Sequence, residues 1–200
     1  MPHEANVPVT LNNLLSAPIA WKRWVEDPTI LAFLSDLQAN ILKGHGRDHT
    51  KNVFLSFEKM TPAQVAGLLN HLSFVTTSAL TQLRGSEAFK ATRLSGGTVY
   101  SVLLTARAYE KLGMAADKSP TDQAFKEGMR TRGTLSEVPF DGFEGPGIND
   151  PSPEEWERGG PWDPANDAPH AMILIADEDA SLVGNAYSSL KRVFEYFNAI

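Results

Sequence analysis

The stretch "LQANILKGHGRDH", residues 37 to 49, concentrates two histidines, an arginine, an aspartate, a glutamine, an asparagine and two glycines directly ahead of an apolar run. His45 and His49 are four residues apart, a spacing that could set two imidazoles on one helix face to ligate a metal ion. Gly44 and Gly46 work against such a helix, and no His-Glu-x-x-His pattern is present. "GHGR" offers a second chemistry, a nest of backbone N–H groups for an anion with Arg47 as counter-charge. Against both stands a structural reading: a polar loop capping the way into a strand, with glycines that permit a tight approach.

Elsewhere the reactive residue types lack partners at useful spacing. Ser56 and Ser101 fall on predicted strands without a nucleophile elbow. Asp177, Glu178 and Asp179 precede a long helix, where capping and the macrodipole account for them. No hydrolase constellation emerges. The four tryptophans, Trp21, Trp24, Trp156 and Trp162, lie outside the core elements. They either anchor those segments against a neighbouring surface or cover the domain's own core.

These residues must be positioned by a chain of 200 residues, 42% apolar and 21% charged, the profile of a soluble globular chain forming one domain, or at most one domain with appendages. A net charge of −6 with dispersed Lys and Arg argues against a nucleic-acid surface. The absence of cysteine excludes disulfides, thiolate metal sites and a cysteine nucleophile, and fits a reducing, cytoplasmic setting. The start of the chain lacks the pattern of a secretory signal, and "AMILIA" is too short to span a bilayer, so no membrane partner is expected.

Residues 1–36 form an N-terminal arm broken by Pro2, Pro8, Pro18 and Pro28, with short helices possible at "IAWKRWVED" and "TILAFLSDL". The rest, residues 37–200, reads as one domain. "NVFLSFE" is a strand with Val53, Leu55 and Phe57 on one face and Phe54 on the other. "TPAQVAGLLNHL" is an amphipathic helix: Thr61 caps it, Pro62 opens it, Gln64 completes a capping box, and Val65, Leu68, Leu69 and Leu72 form the stripe. "GTVYSVLLT" is a second strand, "ARAYEKLG" a short helix stopped by Gly113, and "SPTDQAFKEGMRTR" a helix capped by Ser119. Residues 133–169 hold seven of the thirteen prolines, with five glycines between Gly142 and Gly160, a long aperiodic stretch that implies a functional lid, an interaction segment or partial disorder. "HAMILIA" is a third strand, and a final helix from Asp179 carries Val183, Ala186, Leu190, Val193 and Phe197 at steps of three and four.

This order is that of a ferredoxin-like β-α-β-β-α-β unit with its last strand missing. That strand would lie beside "NVFLSFE", whose edge natural proteins rarely leave bare. Either another polypeptide supplies the strand, the N-terminal arm folds back over the edge, or the strand count is wrong.

Five segments in order then carry a resemblance: "LQANILKGHGR" shortly before "NVFLSFE", then "VLLTARAYEKLG", "FKEGMRTR", and "DPSPEEWE" ahead of "HAMILIADED". Together they resemble the N-terminal half of a dye-decolourising (DyP-type) haem peroxidase, over nearly all of residues 30–200. Two departures stand out: Ala39 where the family often has glycine, and the additional "FDGFEGPGIN".

The resemblance implies an α+β fold: a ferredoxin-like antiparallel sheet with helices on one face, half of a dimeric α+β barrel. It implies peroxide-dependent oxidation of dyes and phenolic donors by haem b. It also implies that the proximal histidine, distal arginine and distal aspartate lie in the second half, since "DGFEGPGIND" contains no Gly-x-x-Asp-Gly. The partner expected is therefore a second chain carrying that half, with haem held there and no catalytic residue in this chain. Val53, Phe54, Leu55, Phe57, Trp156 and Trp162 are the interface candidates. His170, at the mouth of the third strand, is either a haem axial ligand or a hydrogen-bonded boundary residue. Two other functions remain open: a non-enzymatic binding or scaffold module derived from a peroxidase, and an autonomous haem protein using one of its own histidines.

Overall fold

The computed structural model describes residues 27–122, 125–126, 155 and 169–200. The helix expected at "IAWKRWVED" up to Asp27, the four tryptophans, His3, and the Pro- and Gly-rich stretch apart from Glu155 and Pro169 lie outside the described residues. The described elements are α1 (Pro28–Asp36), β1 (His49–Leu55), α2 (Pro62–Val75), α3 (Ala79–Thr92), β2 (Val99–Leu104), α4 (Ala106–Lys111), a 3-10 turn (Ala116–Lys118), β3 (Ala171–Asp177) and α5 (Ala180–Phe197). The three strands form one antiparallel sheet in the order β1-β3-β2, a ferredoxin-like order with no fourth strand among the described residues. No helix among the described residues is long and apolar enough to cross a membrane.

The chain divides into two compact units. Met1–Thr50, Val75–Ser101 and Ile175–Val183 form the first; Lys51–Phe74, Val102–Leu174 and Gly184–Ile200 form the second.

In the first unit, α1 begins where Pro28 presets the helical φ and the Asp27 carboxylate accepts the N–H of Thr29 at 2.9 Å. Its Leu34 is buried with Ala79, Leu80 and Leu83 from the first turns of α3. Helix α3 is the element that sequence reading missed. Its buried apolar residues, Ala79, Leu80 and Leu83, are confined to its first turns, and the rest is mixed and interrupted by Gly85, so no sustained stripe marks it. The usable signal was its cap: Ser78 Oγ accepts the N–H of Thr81 at 3.1 Å. Before α3, Ala39 N–H donates to Thr77 C=O at 2.8 Å and Ala79 N–H to Leu37 C=O at 2.7 Å. This short bridge fixes the start of the polar stretch.

In the second unit, the capping box of α2 forms as expected: Thr61 N–H donates to Gln64 Oε1 at 2.8 Å and Gln64 N–H to Thr61 Oγ1 at 3.3 Å. Val65, Leu68 and Leu72 are buried beneath it. From α5, Ala186, Leu190 and Phe194 are buried, Phe194 taking the depth expected of Val193. A Cβ added to Gly67 would lie 3.2 Å from the Phe197 ring, so α2 and α5 are in close contact. Gly113 has φ +69 and follows α4, the left-handed residue expected there. Ser119 does not cap the next turn: Asp122 does, its Oδ1 accepting the N–H of Phe125 at 2.7 Å. A carboxylate three residues before the receiving N–H outcompetes a hydroxyl further upstream.

Val53, Leu55 and, beyond the strand end, Phe57 are buried in the chain's own core, while Phe54 is half-buried. A partner at this edge would therefore meet the backbone of β1 and the Phe54 ring, not the other three side chains. Among the described strands β1 has β3 as its one neighbour. Just past it, Ser56 N–H donates to the C=O of Ala199 at 3.0 Å, after the chain turns at Asn198 with φ +57.

Candidate functional site

The polar stretch is held by side chains acting as braces. Asn40 occupies the left-handed region (φ +68), which asparagine tolerates because its short amide can bond locally. Its Oδ1 accepts the N–H of His45 at 3.0 Å. Gln82 of α3, buried, accepts the N–H of Asn40 at 2.9 Å and donates from Nε2 to the C=O of Lys43 at 3.0 Å. His45 Nδ1 in turn accepts the N–H of Arg47 at 3.0 Å. Each bond satisfies a backbone group that the irregular path would otherwise leave open.

The Arg47 guanidinium is buried, its side chain 3% exposed. Nε donates to the C=O of Gly97 and Nη1 to Glu178 Oε1, both at 3.3 Å, while Nη2 is buried without a hydrogen-bond partner among the described residues. It lies 2.7 Å from where a Cβ on Gly96 would sit, and that Cβ would also lie 2.5 Å from the C=O of Gly85. Only glycine fits at 96. At Gly44 and Gly46, by contrast, an added Cβ meets nothing within 4 Å. Tight approach is therefore not why glycine stands there; at Gly46 the reason is φ +64.

The three carboxylates at the end of β3 divide their tasks, which corrects the reading of all three as helix capping. Asp179 alone caps α5, accepting the N–H of Ser181 at 2.7 Å. Glu178 pairs with Arg47. Asp177 is fully buried and accepts from Thr98 Oγ1 at 2.6 Å, Ser95 Oγ at 3.0 Å and Asp179 N–H at 3.3 Å. Burial pushes its pKa up, but the Thr98 hydroxyl, the Asp179 N–H and the Ser95 hydroxyl together overcome that and hold it below the ordinary carboxylate value. Desolvation and the Asp177 charge raise the Tyr100 phenol above its usual value. For His45, burial first and then Arg47 lower the imidazole pKa, against a smaller pull from Glu178.

This geometry does not suit a metal ion at His45 and His49. The two lie on a loop and a strand start, not on one helix face. With Nδ1 accepting the Arg47 N–H, Nε2 of neutral His45 carries the proton and has no lone pair to offer. Among the described residues no three His, Asp or Glu side chains are grouped to hold a metal. Of the Arg47 guanidinium, Nε is taken by the C=O of Gly97 and Nη1 by Glu178, which leaves Nη2 buried beside Gly96.

In the second unit, His170 is 2% exposed. Its Nδ1 accepts the N–H of Phe57 at 3.1 Å, and its Nε2 faces Glu58 Oε1 at 3.4 Å. Arg107 Nη2 donates to the same carboxylate oxygen at 2.6 Å, and Lys111 Nζ to the Glu58 C=O at 2.8 Å. The Phe57 ring centroid lies 5.3 Å away. Both ring nitrogens are thus engaged, and an iron could reach His170 only by displacing a backbone hydrogen bond or the carboxylate. His170 is thus a hydrogen-bonded residue at the mouth of β3. His71 is exposed on α2.

An apolar cavity of about 240 Å³ lies in the second unit, its wall including Phe54, Leu104, Thr105 and Met172. Its one hydroxyl, Thr105 Oγ1, already bonds the C=O groups of Pro169 and His170 at 3.0 and 3.1 Å. Among the described residues no convergent polar groups of the kind a small-molecule catalytic pocket uses line it.

No family model matches the sequence. The chain is 32% identical over 169 residues to the multifunctional dye peroxidase DyP2 of an Amycolatopsis species, covering 84% of this chain and 31% of that protein. Its fold is similar to that of a DyP-type peroxidase of Anabaena sp. (TM-score 0.74, 26% identity, 94% of this chain and 38% of the other). It is also similar to the solved DyP2 structure (TM-score 0.63, 32% identity, 82% and 30%). A variant of the dye-decolorizing peroxidase of Pleurotus ostreatus shares the fold at TM-score 0.54 and 20% identity. The chain spans about a third of the length of the proteins it matches.

Proposed function

We propose, for a chain that belongs to the dye-decolourising (DyP-type) peroxidase family, that it is the N-terminal structural portion of a haem peroxidase completed by a second polypeptide. The assembled enzyme oxidises dyes and phenolic donors with hydrogen peroxide. In this proposal haem b and the catalytic residues belong to the partner, and the assembly works in the cytoplasm, where a chain without cysteine needs no oxidising environment.

The observation that carries this reading is the engagement of His170 within its own fold, at Phe57 and Glu58. A family that depends on a haem-ligating histidine must then take it from elsewhere. The partner's first contact would be at β1, where the Ser56–Ala199 hydrogen bond starts a pairing line that an antiparallel strand can extend. The apolar wall around Phe54 and Met172 offers such a partner further contact.

A competing reading, a binding module without peroxidase chemistry, is favoured by the same cavity. One experiment separates the two: express the chain alone and together with the product of the adjoining reading frame, then record complex formation, haem absorbance and peroxide-dependent dye oxidation. The proposal expects a complex with haem and turnover only when both chains are present. Failure of the two to associate would overturn it in favour of the binding module.

A further inference from the structure

We infer that residues 40–47 form an acid-released latch, in which protonation of His45 Nδ1 removes the acceptor of the Arg47 N–H and frees the loop leading into β1. The inference stands independently of the proposed function.

The path of this loop depends on a relay of single bonds. Gln82 holds Asn40 and Lys43, Asn40 holds His45, and His45 holds Arg47. His45 is the one titrating link in that relay. When a proton from solvent adds to Nδ1, the ring carries N–H at both nitrogens, and two donors face each other where a bond of 3.0 Å stood.

The added charge also falls beside a buried cation. The charged groups that act on His45 are Arg47, in its own loop, and Glu178, after β3. Helix α3 presents Gln82 and Ser86 to the loop, both uncharged, with Lys43 Nζ donating to Ser86 Oγ at 3.1 Å. Glu178 would therefore have to compensate two cations, one of them a guanidinium already holding it at 3.3 Å. The lowered pKa of His45 agrees with this. Its contribution to stability is complete above the unfolded value of about 6.5 and is lost as pH falls from there through the folded value.

The test follows amide hydrogen exchange at Arg47 in the full chain from pH 7.5 to pH 5, corrected for the intrinsic rate. Long-range nitrogen spectra of the His45 ring are recorded in parallel. We expect protection of the Arg47 N–H to fall about tenfold or more, over the pH range in which Nδ1 becomes protonated. In His45→Asn, which retains an oxygen acceptor and does not titrate, protection should stay flat. Unchanged protection in the wild type, an equal fall in His45→Asn, or loss of protection without Nδ1 protonation would each overturn the inference. If the variant fails to fold, the ring-nitrogen titration of the wild type alone still decides.

Discussion

At Asp177 a fully buried carboxylate is kept ionised by hydroxyls and backbone N–H groups instead of a cation. Replacing it by asparagine keeps the shape but turns one acceptor into a donor facing the Thr98 or Ser95 hydroxyl. We predict that Asp177→Asn costs about 1–3 kcal/mol at pH 7. Because the folded pKa is lowered, the wild-type advantage is present above the unfolded value and is lost as pH falls through the folded one. Urea unfolding of both proteins at pH 7 and below pH 3 should show the gap closing; a gap independent of pH would contradict the assigned ionisation. The residue types in this cluster were visible in the sequence, but their grouping was not. Arg47, Gly96 and Glu178 meet across 131 positions of chain, and no local pattern encodes such an encounter. Three adjacent acids before a helix suggest capping for all three, whereas only one side chain can occupy the cap position.

Among the elements, those with a strong period were legible. Helix α2 announced itself by Thr61, Pro62 and Gln64, β1 by the alternation of Val53, Phe54 and Leu55, and β3 by a short apolar run. Helix α3 was not legible, since it buries only its first turns and is stabilised by tertiary contact more than by an apolar stripe. Its close approach at Gly85 to the turn before β2 gives a sharp contrast between glycines. Gly96→Ala would force a Cβ to within 2.5 Å of a carbonyl oxygen and should destabilise by about 1–3 kcal/mol. Gly44→Ala meets no atom and requires no left-handed backbone, so it should be neutral or stabilising by up to about 1 kcal/mol. Thermal unfolding of the two variants checks this directly; equal effects would mean that the Gly85–Gly96 approach is not tight in solution.

For the whole molecule, the ferredoxin-like order and the family could be read from the sequence because five separated segments recur in order, a signal that survives where single residues mislead. The role of His170 could not be read, because whether a histidine at a strand mouth ligates or braces depends on which atoms meet its two nitrogens. In this chain they meet Phe57 and Glu58, and the proposed function accordingly takes the haem-ligating histidine from residues other than His170. The most direct test is to titrate haem into the isolated chain and into its His170→Ala and His45→Ala variants while following the Soret absorbance. The account predicts no histidine-ligated spectrum in any of the three. A stoichiometric ligated spectrum in the wild type, lost in either variant while the fold persists by circular dichroism, would contradict it.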